Sequence, residues 1–194
     1  MTAEGLGDDQ LDLGASGPSE QVVDQSLMDR LARLLALQAL YEVDLTGHDA
    51  DEAVSNAVSN HEHNEMIVAL FGEQDKVPDA VVANAKMLVG GVLARLDAID
   101  PVIESAAPAR TIGEQAAIER NILRLASYQL LFEPEVPAGA LINDAVELAK
   151  GFAGENSGKF INGVLGTIFR QVQRRRNRKH PGVASPSDSR TTGD

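Results

Sequence analysis

Between Ile118 and Thr167 apolar residues recur at helical spacing in three successive runs, and the breakers between those runs leave little choice of fold. The first run, IERNILRLASYQLLF, must stop at Pro134, because a residue before proline is driven out of α geometry. The second, ALINDAVELAKGFAG, is bounded by Pro137 and Gly154, and the third, ENSGKFINGVLGTIF, follows that glycine. The spacing predicts helices from about 113 to 133, 138 to 152 and 155 to 172. Their inner faces carry Ile118, Ile122, Leu125 and Leu130, then Leu141, Ala145 and Leu148, then Ile161, Leu165 and Ile168. Tryptophan is absent and aromatics are 4% of the chain, a composition suited to packed helices rather than a sheet. The fold class expected is all-α, a bundle of about six to seven helices in two subbundles.

Upstream, Ser26 is placed to cap a first helix reaching about Leu45, with Leu27, Leu31, Leu34, Gln38, Tyr41 and Leu45 on one core stripe. Arg30 and Arg33 flank that stripe and are expected to emerge side by side along its margin. A weaker helix is expected over 49–63 and a short one from Glu65 to Phe71. A longer helix is expected over 79–104, where Gly90-Gly91 marks a kink or a close crossing. His61 and His63 cannot converge on one metal ion, since residues two apart on a helix point about 200° apart. Gln38 and Gln129 lie within core stripes and are expected to bond neighbouring backbone. Arg120 and Arg124, four apart, are expected to face outward, while Phe160 sits at a core margin beside Lys159, where a ring can stack on a base.

The formal charge of −12 is unevenly spread. Seven acids and no bases precede Arg30, and seven bases against two acids follow Phe169, so a basic arm extends from an acidic body. The organisation expected is a disordered acidic leader over 1–25, one helical domain over 26–173, and a basic then polar disordered tail over 174–194. No secretory signal is legible, and the longest apolar run, Met87 to Ala94, is far short of a membrane span, which together read as a soluble, cytoplasmic protein. The absence of cysteine removes disulfides, thiolate metal sites and cysteine nucleophiles. No Ser-His-Asp arrangement, ligand-spaced His and Glu set or glycine-rich phosphate loop can be assembled, so no catalytic residue, metal or cofactor is assigned. A binding surface remains.

The segments RLLALQALYEVD, IERNILRLASYQL, PAGALINDAVELAKGF and NSGKFINGVL resemble, in order and spacing, the transcription antitermination factor NusB family. The resemblance runs from about Met28 to Val172 and is densest at its two ends. It implies two helical subbundles that bind a boxA-type element of ribosomal RNA leader transcripts together with NusE, the small-subunit ribosomal protein, within an RNA polymerase antitermination complex. It implies RNA-facing roles for Arg30, Arg33, Tyr41, Arg124, Lys159 and Phe160. Glu119, Arg120 and Asn156 would lie near the NusE or RNA surface. The family's arginine-rich entry to the first helix is matched only at Arg30 and Arg33. Two alternatives stay open: a protein-only helical adaptor with weakened RNA binding, and an RNA-binding module like that of ribosomal RNA cytosine methyltransferases.

Overall fold

The computed structural model describes residues 25–72 and 76–179, and among them are eight α-helices and no strand. They are α1 (Gln25–Thr46), α2 (Ala50–Ser59), α3 (Glu65–Phe71), α4 (Asp79–Leu93), α5 (Leu96–Ala106), α6 (Ala117–Phe132), α7 (Ala138–Ala153) and α8 (Glu155–Lys179). The expected acidic leader and the polar end of the tail lie outside the described residues. No helix among the described residues is long and apolar enough to cross a membrane.

α1 is the axis of the first subbundle. Positions Leu31 to Leu37 are buried without interruption, because α2 and α4 pack on one side while α6 closes the other. The single stripe expected from spacing is therefore corrected: Leu35, Leu37 and Leu40 join the core, while Tyr41 and Leu45 are exposed. Ser26 is already helical at the first described turn of α1, so it does not hold the non-helical conformation of a capping residue. Gly47, at φ 73°, turns the chain out of α1, and the Asp49 carboxylate then caps α2 by accepting from the Asp51 amide at 2.8 Å. In the 3-10 turn that follows, His61 turns inward and its Nδ1 donates to the Val58 carbonyl oxygen at 2.7 Å, while His63 is exposed.

The second subbundle joins α5, α6, α7 and α8, with α7 laid along α8. Leu141, Ala145 and Leu148 of α7 are buried, beside Ile122, Leu125 and Ala126 of α6, and Ile161, Val164, Leu165 and Ile168 of α8 are buried as the periodicity predicts. Contacts of α6 with α1 and α4 join the two halves into one core.

The expected helix over 79–104 divides at Ala94 and Arg95, so that α4 serves the first subbundle and α5 the second. The glycine pair is not the break. Gly91 is a close crossing, since a Cβ there would collide with the Tyr128 ring of α6, whereas Gly90 faces open space. The substitution Gly91→Ala should therefore destabilise the protein by about 1–3 kcal/mol through overpacking. Gly90→Ala should be neutral or stabilise it by up to about 1 kcal/mol. Urea unfolding midpoints of the two variants separate these outcomes.

Candidate functional site

Asp144, beside the core positions of α7, faces α1 and gathers both of its arginines. Arg30 Nε lies 3.2 Å from Asp144 Oδ1, and Arg33 Nη2 bonds Oδ2. The two guanidinium groups thus converge instead of running side by side along a margin. Arg33 is buried and its Nε has no partner, while the Arg30 side chain keeps 37% of its surface exposed. Both arginines border a cavity of about 510 Å³ with Met66, Lys150 and Glu155. Lys150 there pairs with Glu147 at 3.0 Å, and that hydrogen bond raises its pKa from the ordinary value.

A second constellation centres on Asp44, near the end of α1. Arg120 donates from Nη2 and, at 3.2 Å, from Nε to Asp44 Oδ2; Asn121 reaches the same oxygen at 3.1 Å, and Arg124 Nη1 reaches Oδ1 at 3.4 Å. Arg124 also forks onto Asp100 of α5 at 2.9 and 2.7 Å. Arg120 Nη1 donates to the carbonyl oxygens of Ile112 and Gln115 at 3.2 and 3.0 Å. Burial by itself would push the Arg124 guanidinium down, yet the carboxylates of Asp100 and Asp44 hold it above its ordinary value and keep it charged. The expectation that Arg120 and Arg124 face outward is corrected. They bind α6 to α1 and α5, because the carboxylates of Asp44 on α1 and Asp100 on α5 face them there.

Glu119 is also internal. Its Oε1 accepts from Ser157 Oγ at 2.6 Å and its Oε2 from Arg110 Nη1 at 3.4 Å, which ties α6 to the first turn of α8. Asn156 and Ser157 belong to that helical turn, with Asn156 exposed and Ser157 buried. Arg110 lies over the Phe160 ring, 5.0 Å from its centroid, so one face of this half-buried ring already holds a cation. Lys159 is exposed, as is Tyr41 at 39%. Of the expected site residues, Arg30, Tyr41, Asn156, Lys159 and Phe160 reach the surface, while Arg33, Glu119, Arg120 and Arg124 are committed to partners within the fold.

Asp44, Asp100, Arg110, Asn121 and Asp144 of these networks were not foreseen. The Asp144 word was part of INDAVELAKGF, but no spacing rule says that a carboxylate on α7 meets arginines on α1. Gln129 also differs from expectation, since its Nε2 donates to the Glu133 carboxylate at 2.7 Å rather than to backbone, and Gln38 Oε1 has no partner.

Comparison with known proteins adds an independent line. The family model described as the NusB family matches residues 30–170, spanning both subbundles. The transcription antitermination protein NusB of Pelotomaculum thermopropionicum is 40% identical over 139 residues, covering 72% of this chain and 87% of the relative. Its counterpart in Desulfitobacterium hafniense is 34% identical over 146 residues, 75% of this chain and 90% of the relative. Among solved structures, antitermination factors NusB and NusE in complex with double-stranded RNA match with TM-score 0.59 at 30% identity, covering 74% of this chain and 97% of that one. The Thermotoga maritima NusB crystal structure matches with TM-score 0.63 at 26% identity, over 78% and 96%.

Proposed function

The chain belongs to the NusB family, and we propose on that premise that it is a transcription antitermination factor that binds boxA-type ribosomal RNA leader sequence together with NusE. It thereby helps to load the antitermination complex on RNA polymerase. The observation that carries this reading is the family match across residues 30–170, which spans α6, α7 and most of α1 and α8, the last two displaying the surface residues named above. The NusB and NusE complex with RNA is the solved relative whose partners correspond to it. The chain acts by binding, with no catalytic step, and works in the cytoplasm alongside the transcript.

Within this reading Arg30 supplies a phosphate contact, and Lys159 and the open face of Phe160 hold a splayed nucleotide, the combination that single-stranded RNA requires. Tyr41, on the exposed side of α1, offers a further stacking face. Asn156 sits where NusE docks. Arg33, Arg120, Arg124 and Glu119 act through position: their internal pairs set the relative placement of α1, α6, α7 and α8. Few uncommitted charges on α1 make binding by this chain alone weak, and NusE strengthens the joint site by presenting RNA contacts of its own beside it.

The commitment of Arg33 to Asp144 favours one competing reading, a protein-only adaptor that binds NusE with little RNA preference. Fluorescence anisotropy of labelled boxA-type RNA against a scrambled control, with and without NusE, decides between them. The expected result is sequence-preferring binding enhanced by NusE, with Lys159→Ala flattening the salt slope by about one unit. NusE binding with equal affinity for both RNAs would establish the adaptor instead.

A further inference from the structure

Most cations of the described body are already spoken for. Arg30 and Arg33 meet Asp144; Lys76 meets Asp79; Lys86 meets Asp51; Arg110 meets Glu119; Arg120 and Arg124 meet Asp44; Lys150 meets Glu147. Arg95 lies over the rings of Tyr128 and Phe132 at 5.7 and 5.0 Å. The helix α8 is different. Lys159, Arg170, Arg174, Arg175 and Arg178 are exposed, and among the described residues no carboxylate pairs with any of them.

These charges share a face. At 100° per residue, Lys159, Arg170, Arg174 and Arg178 fall within a sector of about 100°, and the sector runs for about 28 Å along the helix at 1.5 Å per residue. Between Lys159 and Arg170 the sector carries Gly163 and Thr167, whose short side chains keep the helix surface low; a Cβ on Gly163 would meet nothing within 4 Å, and Arg170 Nη2 donates back to Thr167 Oγ1 at 3.0 Å. Beyond them, Arg174, Arg175 and Arg178 line a groove of about 320 Å³ together with Ser105 at the end of α5 and Gln171. The basic run is helical to Lys179, past the boundary at residue 173 expected from sequence. It is also fastened, since Arg176 on the opposite side donates to the Leu130 carbonyl oxygen of α6 at 3.1 Å.

We propose that this face of α8 is a second RNA surface, a rail that carries the sugar-phosphate backbone of single-stranded RNA flanking the boxA-type element, with the Arg174, Arg175 and Arg178 groove seating a phosphate. The proposal rests on the RNA-binding reading above and extends it beyond the first helix. Guanidinium groups match phosphate oxygens in pairs, and the open surface at Gly163 lets a backbone lie close to the helix. RNA suits the face better than an acidic protein segment because Phe160, a stacking ring, stands at the same end as Lys159, and base stacking plus phosphate contact is what a single strand needs. On a chain of charge −12 this is also where the local field can favour a polyanion against the repulsion of the body.

The test uses the full chain with NusE and two labelled RNAs, the boxA-type element alone and the same element with an unstructured oligouridine flank. The flanked RNA should bind the wild-type protein more tightly. The combined substitution Arg170→Gln, Arg174→Gln and Arg178→Gln should abolish that gain and flatten the salt slope by about two units, since each single-strand phosphate contact contributes about 0.7. The corresponding arginine-to-lysine variant should restore the slope, a rescue that a structural role would not produce, and circular dichroism should show unchanged helix content. Normal binding of the element with no gain from the flank overturns the rail alone. Loss of binding to the element by wild-type protein with NusE overturns the functional reading as well. A glutamate-rich peptide that binds wild-type protein but not the glutamine variant, with RNA binding the same in both, would assign the face to an acidic protein and overturn the proposal.

Discussion

Replacing Asp44 by alanine is expected to lower the stability of the protein by about 3 kcal/mol, the lower end of the range for breaking a partly buried ion pair from one side. The Asp44 carboxylate receives donors from Arg120, Asn121 and Arg124, and its side chain is only 18% exposed. Its removal leaves the Arg120 guanidinium with two backbone carbonyls and no counter-charge, in a crossing that solvent reaches poorly. Arg124 retains Asp100, which keeps the loss away from the upper end near 5 kcal/mol. The midpoint of urea unfolding should fall with little change in its slope. Asp51→Ala is the control: it removes an exposed pair with Lys86, and a change within about 0.5 kcal/mol is expected. Equal effects of the two substitutions would mean that the Asp44 network is not a structural joint.

Asp144→Ala should have a split effect. It strands the buried Arg33, whose Nε already lacks a partner, and a loss of about 3 kcal/mol is expected on that account. It also frees Arg30, the more exposed of the two, from its carboxylate. If Arg30 contacts RNA phosphate, the variant should bind boxA-type RNA more tightly at low salt, with a salt slope steeper by about 0.7. Combining Asp144→Leu with Arg33→Met removes charge from both sides of the pair and should recover most of the stability, because an apolar replacement of similar volume satisfies the site. A variant that is destabilised with an unchanged salt slope would exclude Arg30 from the RNA surface.

These two carboxylates also mark where the sequence stopped being legible. The helices of the second half were readable because their signals are local: proline and glycine at fixed offsets, and apolar faces repeating every third or fourth residue. The division at Ala94 was not, because no breaker stands there; the cause is tertiary, with α4 packing on α1 and α2 while α5 packs on α6 and α8. The second buried side of α1 was missed for a related reason. Alanines at 32, 36 and 39 look neutral in a pattern, yet they are what lets neighbouring helices close around it.

The arginines show the same limit in sharper form. Spacing places Arg30 beside Arg33 and Arg120 beside Arg124, but whether a guanidinium meets water or a carboxylate depends on residues up to 111 positions away, as with Arg33 and Asp144. Local words carried the family and most of the fold. Long-range electrostatic pairing decided which of the expected site residues are available, and it left the uncommitted charge on α8, part of it beyond residue 173, where a tail was expected.

The slot at Gly91 gives the protein an optical reporter. The chain has no tryptophan and two tyrosines, so its near-ultraviolet signal comes chiefly from Tyr41 and Tyr128. Tyr41 is partly exposed, while Tyr128 is held between the α4 backbone, the Arg95 guanidinium and the Phe132 ring, 5.6 Å away between centroids. Near-ultraviolet circular dichroism, which responds to rings fixed in asymmetric surroundings, therefore reads the joint between the two subbundles through Tyr128. Quenching of tyrosine emission by a soluble agent reads the outer surface of α1 through Tyr41. One unlabelled sample can thus report separately on whether RNA or NusE covers α1 and on whether either one loosens the junction between the halves.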